Sequence, residues 1–160
     1  MKDVTVGKIV ILTPVELSYI AGFLDGDGSV MSLVEKHTEK RYGIRIRVIV
    51  EFTQHNDNIA VLKYLQKKIG GGNINRSLRD VWKYSIKNQI LIRELLQALY
   101  PFSVLKKQQM KLALQILALS LDNPKRLLRA AKLSDDISRR NLRSKSRKIN
   151  GLEFVKSSLL

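Results

Sequence analysis

Between Gly43 and Thr53 the chain reads GIRIRVIVEFT, and its side chains alternate with a period of two. Ile44, Ile46, Val48, Val50 and Phe52 fall on one face; Arg45, Arg47, Ile49, Glu51 and Thr53 fall on the other. Successive side chains of a strand point to opposite faces, so this segment requires a sheet that is half core and half charged. Elements on either side follow from the same periodicity rules. Thr13-Pro14-Val15-Glu16 opens a helix, with Thr13 as cap, Pro14 in the first turn and Glu16 completing a capping box. Leu17, Ile20, Ala21 and Leu24 recur at helical spacing, and Gly26 begins the stop. A first strand then precedes the alternating one, joined to it by the polar stretch from Lys36 to Tyr42. A helix over 58–69 ends at Gly70-Gly71-Gly72, and Asn73 to Lys87 forms a hairpin with Trp82, Tyr84 and Ile86 on its apolar side. Helices are predicted over 89–99, 106–120, 124–140 and 151–160. The order is α-β-β-α-β-β-α-α-α-α, an α+β chain. With no linker or repeat, residues 1–160 read as one domain, and the first 14 as a strand or extended arm.

Charge narrows the partners. The 160 residues carry 29 Lys+Arg against 14 Asp+Glu, a formal net charge of +15, which favours a polyanion such as nucleic acid. A membrane surface fits less well, because the basic residues do not line one amphipathic helix, and no apolar stretch is long enough to cross a bilayer. Residues 139–148, RRNLRSKSRK, hold six basic residues in ten, either a solvated loop or a set of phosphate contacts. The absence of cysteine rules out disulfides and thiolate metal sites and suits a soluble intracellular protein, in a prokaryotic cytoplasm or an organelle.

The helix before the first strand ends in an unexpected way. YIAGFLDGDGSV, residues 19–30, places Asp25 and Asp27 at a helix C-terminus, where the dipole already carries partial negative charge. Known acidic and glycine loops do not account for it. An EF-hand starting at Asp25 would need glycine and glutamate where Val30 and Lys36 stand. There is no GxxxxGK[ST] loop, and Met31 occupies the last glycine position of a dinucleotide fingerprint. Two carboxylates flanking the carbonyl of Gly26 make an oxygen-rich corner suited to a hard divalent cation such as Mg²⁺, while acidic glycine turns are also common in solvent.

The dodecapeptide as a whole resembles the signature of the LAGLIDADG homing endonucleases of the single-motif type. The resemblance extends along the chain: the element order is similar to that family's αββαββα core with its concave antiparallel DNA-binding sheet and added C-terminal helices, and PFSVLKKQQ at 101–109 resembles its lysine segment. It implies a site-specific double-strand DNA endonuclease of the intron-homing type, cutting a long pseudo-palindromic target by metal-dependent phosphodiester hydrolysis and leaving short 3′ overhangs. An RNA-binding splicing maturase without cleavage activity, with intron RNA as partner, is the alternative. One signature per chain implies a homodimer, with Ala21, Gly22 and Asp25 at the packed signature helices.

By the same resemblance, Asp27 and the Gly26 carbonyl hold the metal, and Asp27, Gln54 and Lys106 are catalytic, Gln54 positioning water and Lys106 stabilising phosphate charge. Mg²⁺ is the implied cofactor, with Mn²⁺ substituting and Ca²⁺ binding without supporting efficient cleavage. Relatives carry a basic residue four positions after the glutamine; Asn58 stands there, so its auxiliary role is absent or falls to His55. Met31, Leu33, Glu35, Arg45, Arg47, Glu51, Arg76, Lys83 and Ser85 are expected to face bases, and Lys145, Arg147 and Lys148 to hold phosphates.

Overall fold

The structure, a computed structural model, describes residues 12–141 and 149–160. The order of elements is α1 (Pro14–Asp27), β1 (Gly28–Lys36), β2 (Ile44–His55), a single 3-10 turn (Asn56–Asn58), α2 (Ile59–Ile69), β3 (Asn73–Leu78), β4 (Val81–Ile86), α3 (Gln89–Leu99), α4 (Lys107–Leu117), α5 (Pro124–Arg140) and α6 (Gly151–Ser158). This is the α+β order read from the sequence. The 3-10 turn was not in that reading, and α4 ends three residues earlier than periodicity suggests. The strands pair in the order β1-β2-β4-β3, with β2·β4 and β3·β4 antiparallel. Residues 1–11 of the expected N-terminal arm and the expected phosphate contacts Lys145, Arg147 and Lys148 lie outside the described residues, while Pro14 already belongs to α1.

The contacts divide the chain into two compact units. One holds the described residues through Ser29 together with Ile49–Lys107; the other holds the described residues of Val30–Val48 and Gln108–Leu160. In the first unit, α1 opens as its sequence dictates: the Thr13 hydroxyl accepts from the Glu16 N–H at 3.2 Å, and the Glu16 carboxylate accepts from the Thr13 N–H at 2.9 Å. Glu16 also meets Lys68 Nζ of α2 at 2.5 Å. The Lys68 hydrogen bond holds the Glu16 carboxyl below its ordinary range. Ile20, Ala21 and Leu24 are fully buried, and Phe23, Phe52 and Tyr84 run as a ring series from α1 to β4, with Phe52 stacked on Tyr84 at 5.8 Å. Gly70 ends α2 in the left-handed region at φ 84°, and Gly72, at φ 79°, has no room for a Cβ, which would stand 2.6 Å from the Ser85 carbonyl. The triple glycine is thus a helix stop followed by a close backbone approach, and Tyr84 Oη donates to the Gly71 carbonyl between them at 2.5 Å.

In the second unit, α5 and α6 pack together, and Asp135 of α5 accepts from the Gly151 and Leu152 N–H groups at 2.9 and 3.0 Å, satisfying the start of α6. Asn141 donates to the Val30 carbonyl of β1 at 2.7 Å. The alternation of β2 holds with one exception: Ile44, Ile46, Val48, Val50 and Phe52 are buried and Arg45, Arg47, Glu51 and Thr53 half-exposed, but Ile49, on the charged side, is only 4% exposed. Among the described residues no helix is long and apolar enough to cross a membrane.

Candidate active site

The end of α1 is electrostatically uncompensated by side chains of its own, since its last turn holds no basic residue. Its two aspartates meet this in different ways. Asp25 is half-buried, and its Oδ1 accepts from Ser103 Oγ at 2.6 Å and the Lys106 N–H at 3.0 Å, while Oδ2 accepts from the Val104 and Leu105 N–H groups at 2.7 and 3.1 Å. These donors belong to the turn at Ser103–Lys106, so one carboxylate anchors that turn on the end of α1. Burial pushes the Asp25 carboxyl up, but the four hydrogen bonds outweigh it and hold the group below its ordinary range. The positive charge missing beside Asp25 is therefore a set of N–H dipoles.

Asp27, the last residue of α1, is exposed and, among the described residues, takes one side-chain donor: Gln54 Nε2 of β2, 2.8 Å from its Oδ2. Gln54 is itself held. Its Oε1 accepts from the His55 N–H at 3.1 Å and from Asn58 Nδ2 at 3.4 Å, which fixes the amide with its nitrogen toward Asp27. His55 does not take over the position of Asn58; its Nδ1 caps the 3-10 turn at the Asp57 N–H, 3.4 Å away. Lys106 is half-buried and immediately precedes α4, its main chain anchored on Asp25. Gly28 permits the chain to turn from α1 into β1, because a Cβ there would stand 2.5 Å from Leu24 Cδ1 and 2.8 Å from the Leu24 main chain.

The interface residues divide. Ala21 is fully buried and Asp25 bonded within its own chain, so neither offers a free surface for a partner. Apolar residues spread round much of α1, so periodicity alone does not tell which face its own core takes. Gly22 is exposed, with open space where a Cβ would be, and shares its side of the helix with Val15, 79% exposed, and Tyr19, 48% exposed.

The expected base-facing residues fall into local clusters. In the second unit Glu35 of β1 lies between Arg45 and Arg47 of β2, while Met31 and Leu33 are half-buried. In the first, Glu51 accepts from Ser85 Oγ at 2.8 Å and pairs with Lys83 Nζ at 3.4 Å. Arg76 is exposed but turned back on its own hairpin, donating from Nε to the Arg79 carbonyl at 2.8 Å. Sequence reasoning did not find Ser103 or the role of Asn58. Each had a local signal, Ser103 as a hydroxyl just ahead of a helix and Asn58 as a polar side chain four residues past Gln54.

The matched segment decides what kind of protein carries this site: residues 20–119 match the LAGLIDADG endonuclease family. The chain belongs to that family. It is 30% identical over 135 residues to the DNA endonuclease I-CreI of Chlamydomonas reinhardtii, covering 82% of each chain. It is 25% identical over 124 residues to the DNA endonuclease I-CvuI of Chlorella vulgaris, covering 76% of this chain and 77% of that one. A crystal structure of I-CvuI with uncleaved I-CreI target DNA, in the presence of Mg, matches with a TM-score of 0.82 at 25% identity, over 91% of this chain and 92% of that chain. The fold is also that of the archaeal intron-encoded homing endonuclease I-Vdi141I, solved with DNA, at a TM-score of 0.76 and 20% identity over 90% of this chain and 96% of that chain. The family and fold implied by residues 19–30 are thus borne out for the LAGLIDADG chain described here.

The donors at the end of α1 suit the divalent ion this family implies. They are hard oxygens, the Asp27 carboxylate and helix-end carbonyls including that of Gly26. Among the described residues no three His, Cys, Asp or Glu side chains converge as a self-contained site. Mg²⁺ is typically held by one or two carboxylates with substrate phosphates completing the shell, so this sparse donor set fits it.

Proposed function

We propose that the protein is a site-specific DNA endonuclease of the homing type, acting as a homodimer on a long, pseudo-palindromic duplex and leaving short 3′ overhangs. The observation that carries the reading is the exposed Asp27 carboxylate, oriented by Gln54 at 2.8 Å, at the end of a helix in a strongly basic chain. The exposed Val15, Tyr19 and Gly22 side of α1 supports a second copy docking there, with the absent side chain of Gly22 allowing two helices to approach closely. Two copies would bring two Asp27 carboxylates together with two sets of carbonyls, completing a donor set that one chain lacks.

The reaction is hydrolysis: water adds in line to phosphorus as the bond to the 3′ oxygen breaks. Asp27 and the Gly26 carbonyl would hold Mg²⁺, with Mn²⁺ able to substitute and Ca²⁺ binding without efficient cleavage. The bound ion supplies charge neutralisation at the phosphate and acidity to water. Gln54 fixes the Asp27 carboxylate through Nε2 and helps to position the attacking water. Lys106 lends positive charge to the phosphate as negative charge builds there, and Asp25 holds the segment from which it projects. The basic chain adds affinity that weakens as salt rises.

The test begins with a random duplex library, from which the intact protein selects its preferred sequence. The recovered duplex is then incubated with the protein in Mg²⁺, in EDTA and with Asp27→Asn. Double-strand cutting in Mg²⁺ alone, abolished by the variant, is expected. Selective binding without metal-dependent cutting would overturn the enzyme reading, and full-rate cutting by Asp27→Asn would overturn the site. Co-purifying intron RNA with no cutting would point to a maturase.

A further inference from the structure

Glu35 serves two arginines at once. Arg45 donates from Nε to Oε1 at 2.6 Å, with its Nη2 at 2.5 Å from the same oxygen. Arg47 places Nε 3.0 Å from Oε1 and donates from Nη2 to Oε2 at 3.4 Å. The Arg47 Nε contact lacks hydrogen-bond alignment although the atom is shut off from water, so charge rather than a directed bond holds it there. Arg45 and Arg47 are two residues apart on β2 and therefore share a face. Without the acid between them, two like charges would push each other aside.

The edges used matter. A guanidinium offers one donor pair along Nε and Nη2 and another along Nη1 and Nη2. Both arginines meet Glu35 through Nε and Nη2, which leaves Nη1 and the second hydrogen of Nη2 unused on Glu35, and such a pair matches O6 and N7 of guanine in the major groove. An arginine so held has less freedom left to lose on binding. With side-chain exposures of 35% for Arg45, 24% for Arg47 and 30% for Glu35, the cluster is open to a ligand and yet partly shielded from salt. The Glu51 cluster differs, because a lysine at 3.4 Å is a point charge with no planar fork to aim.

We propose that Glu35 reads no base itself and is a positioning residue that sets Arg45 and Arg47 as one guanine-reading unit. The proposal rests on the DNA-endonuclease reading above. The experiment repeats the library selection with intact wild type, Glu35→Gln and Glu35→Ala, and measures binding to unrelated duplex at low salt. The expected result is that guanine preference falls at two positions of each half-site together, by about three- to fivefold apiece. Affinity for unrelated duplex should rise, because a negative charge has left a DNA-facing surface. A misfolded variant would lose both, so the opposite signs separate positioning from general damage. Loss of a cytosine preference at one position with both guanine positions intact would show Glu35 reading a base and overturn the proposal. An unchanged profile in both variants would overturn it as well. Failure of wild type to enrich any sequence would instead overturn the endonuclease reading and the proposal with it.

Discussion

Replacing Asp25 by asparagine keeps the size of the side chain and removes one acceptor and the charge. Four donors now share two carboxylate oxygens, two on each. In Asp25→Asn the favoured orientation keeps the carbonyl oxygen on the Val104 and Leu105 N–H groups and turns NH₂ toward Ser103 Oγ, which can rotate to accept, and toward the Lys106 N–H, which is stranded. The stranded donor costs about 1 kcal/mol at the partly exposed end of the range, and the two remaining bonds lose their charge assistance, about 1 kcal/mol more. The sum is about 2 kcal/mol of stability, to be measured by urea unfolding at pH 7 and fixed protein concentration. The pH dependence supplies an internal check. The folded-state carboxyl titrates below the ordinary value of 3.8, so its contribution is present above that value and is lost as pH falls through the folded one. The gap between wild type and variant should therefore be constant near neutrality and close in acid. A gap under about 1 kcal/mol at pH 7, or one that persists undiminished in acid, would refute the anchoring role assigned to Asp25.

Three other outcomes are expected. Gly28→Ala forces a methyl group against the side chain and main chain of Leu24 and should destabilise by about 1–3 kcal/mol, read as a lower urea midpoint. Gly22→Leu meets open space within its own chain, so the fold should persist while sedimentation shows monomer where wild type shows dimer; a dimeric Gly22→Leu would exclude this face as the seam. Asn58→Ala removes one of two donors on Gln54 Oε1 and should slow single-turnover cleavage of the selected duplex by about five- to tenfold with binding unchanged; an equal loss in a Gln54→Ala background would show that Asn58 acts elsewhere.

The parts of this protein that could be read from sequence are those governed by neighbours in the chain. Thr13, Pro14 and Glu16 announce a helix start because both partners of the capping box lie within one turn. The face of β2 that enters the core follows from alternation, and the one departure, Ile49, is an apolar residue covered on the side where charge was expected. What could not be read depends on distant segments. Asp25 finds its donors 78 to 81 residues away, and nothing between Pro101 and Lys107 marks those N–H groups as belonging to an aspartate. Ala21 and Gly22 are adjacent small residues in the apolar middle of α1, and only packing shows that one faces inward and the other out. The two compact units are hidden for the same reason, since each gathers two stretches of chain separated by the other. The candidate residues Asp27, Gln54 and Lys106 come from a resemblance, and the structure brings the first two into contact, whereas the hold of Asn58 on Gln54 depends on a three-residue turn too short to leave a periodic trace.

The seating of Glu35 between Arg45 and Arg47 has a consequence for changing what this chain recognises. If Glu35 sets both arginines as proposed, swapping one lets the carboxylate turn wholly toward the other, so the remaining side chain shifts and its letter of the target changes with it. On that proposal, retargeting would not proceed one letter at a time along this edge. Natural drift to a new sequence would pass through relaxed intermediates, and an engineer would vary positions 35, 45 and 47 in a single library.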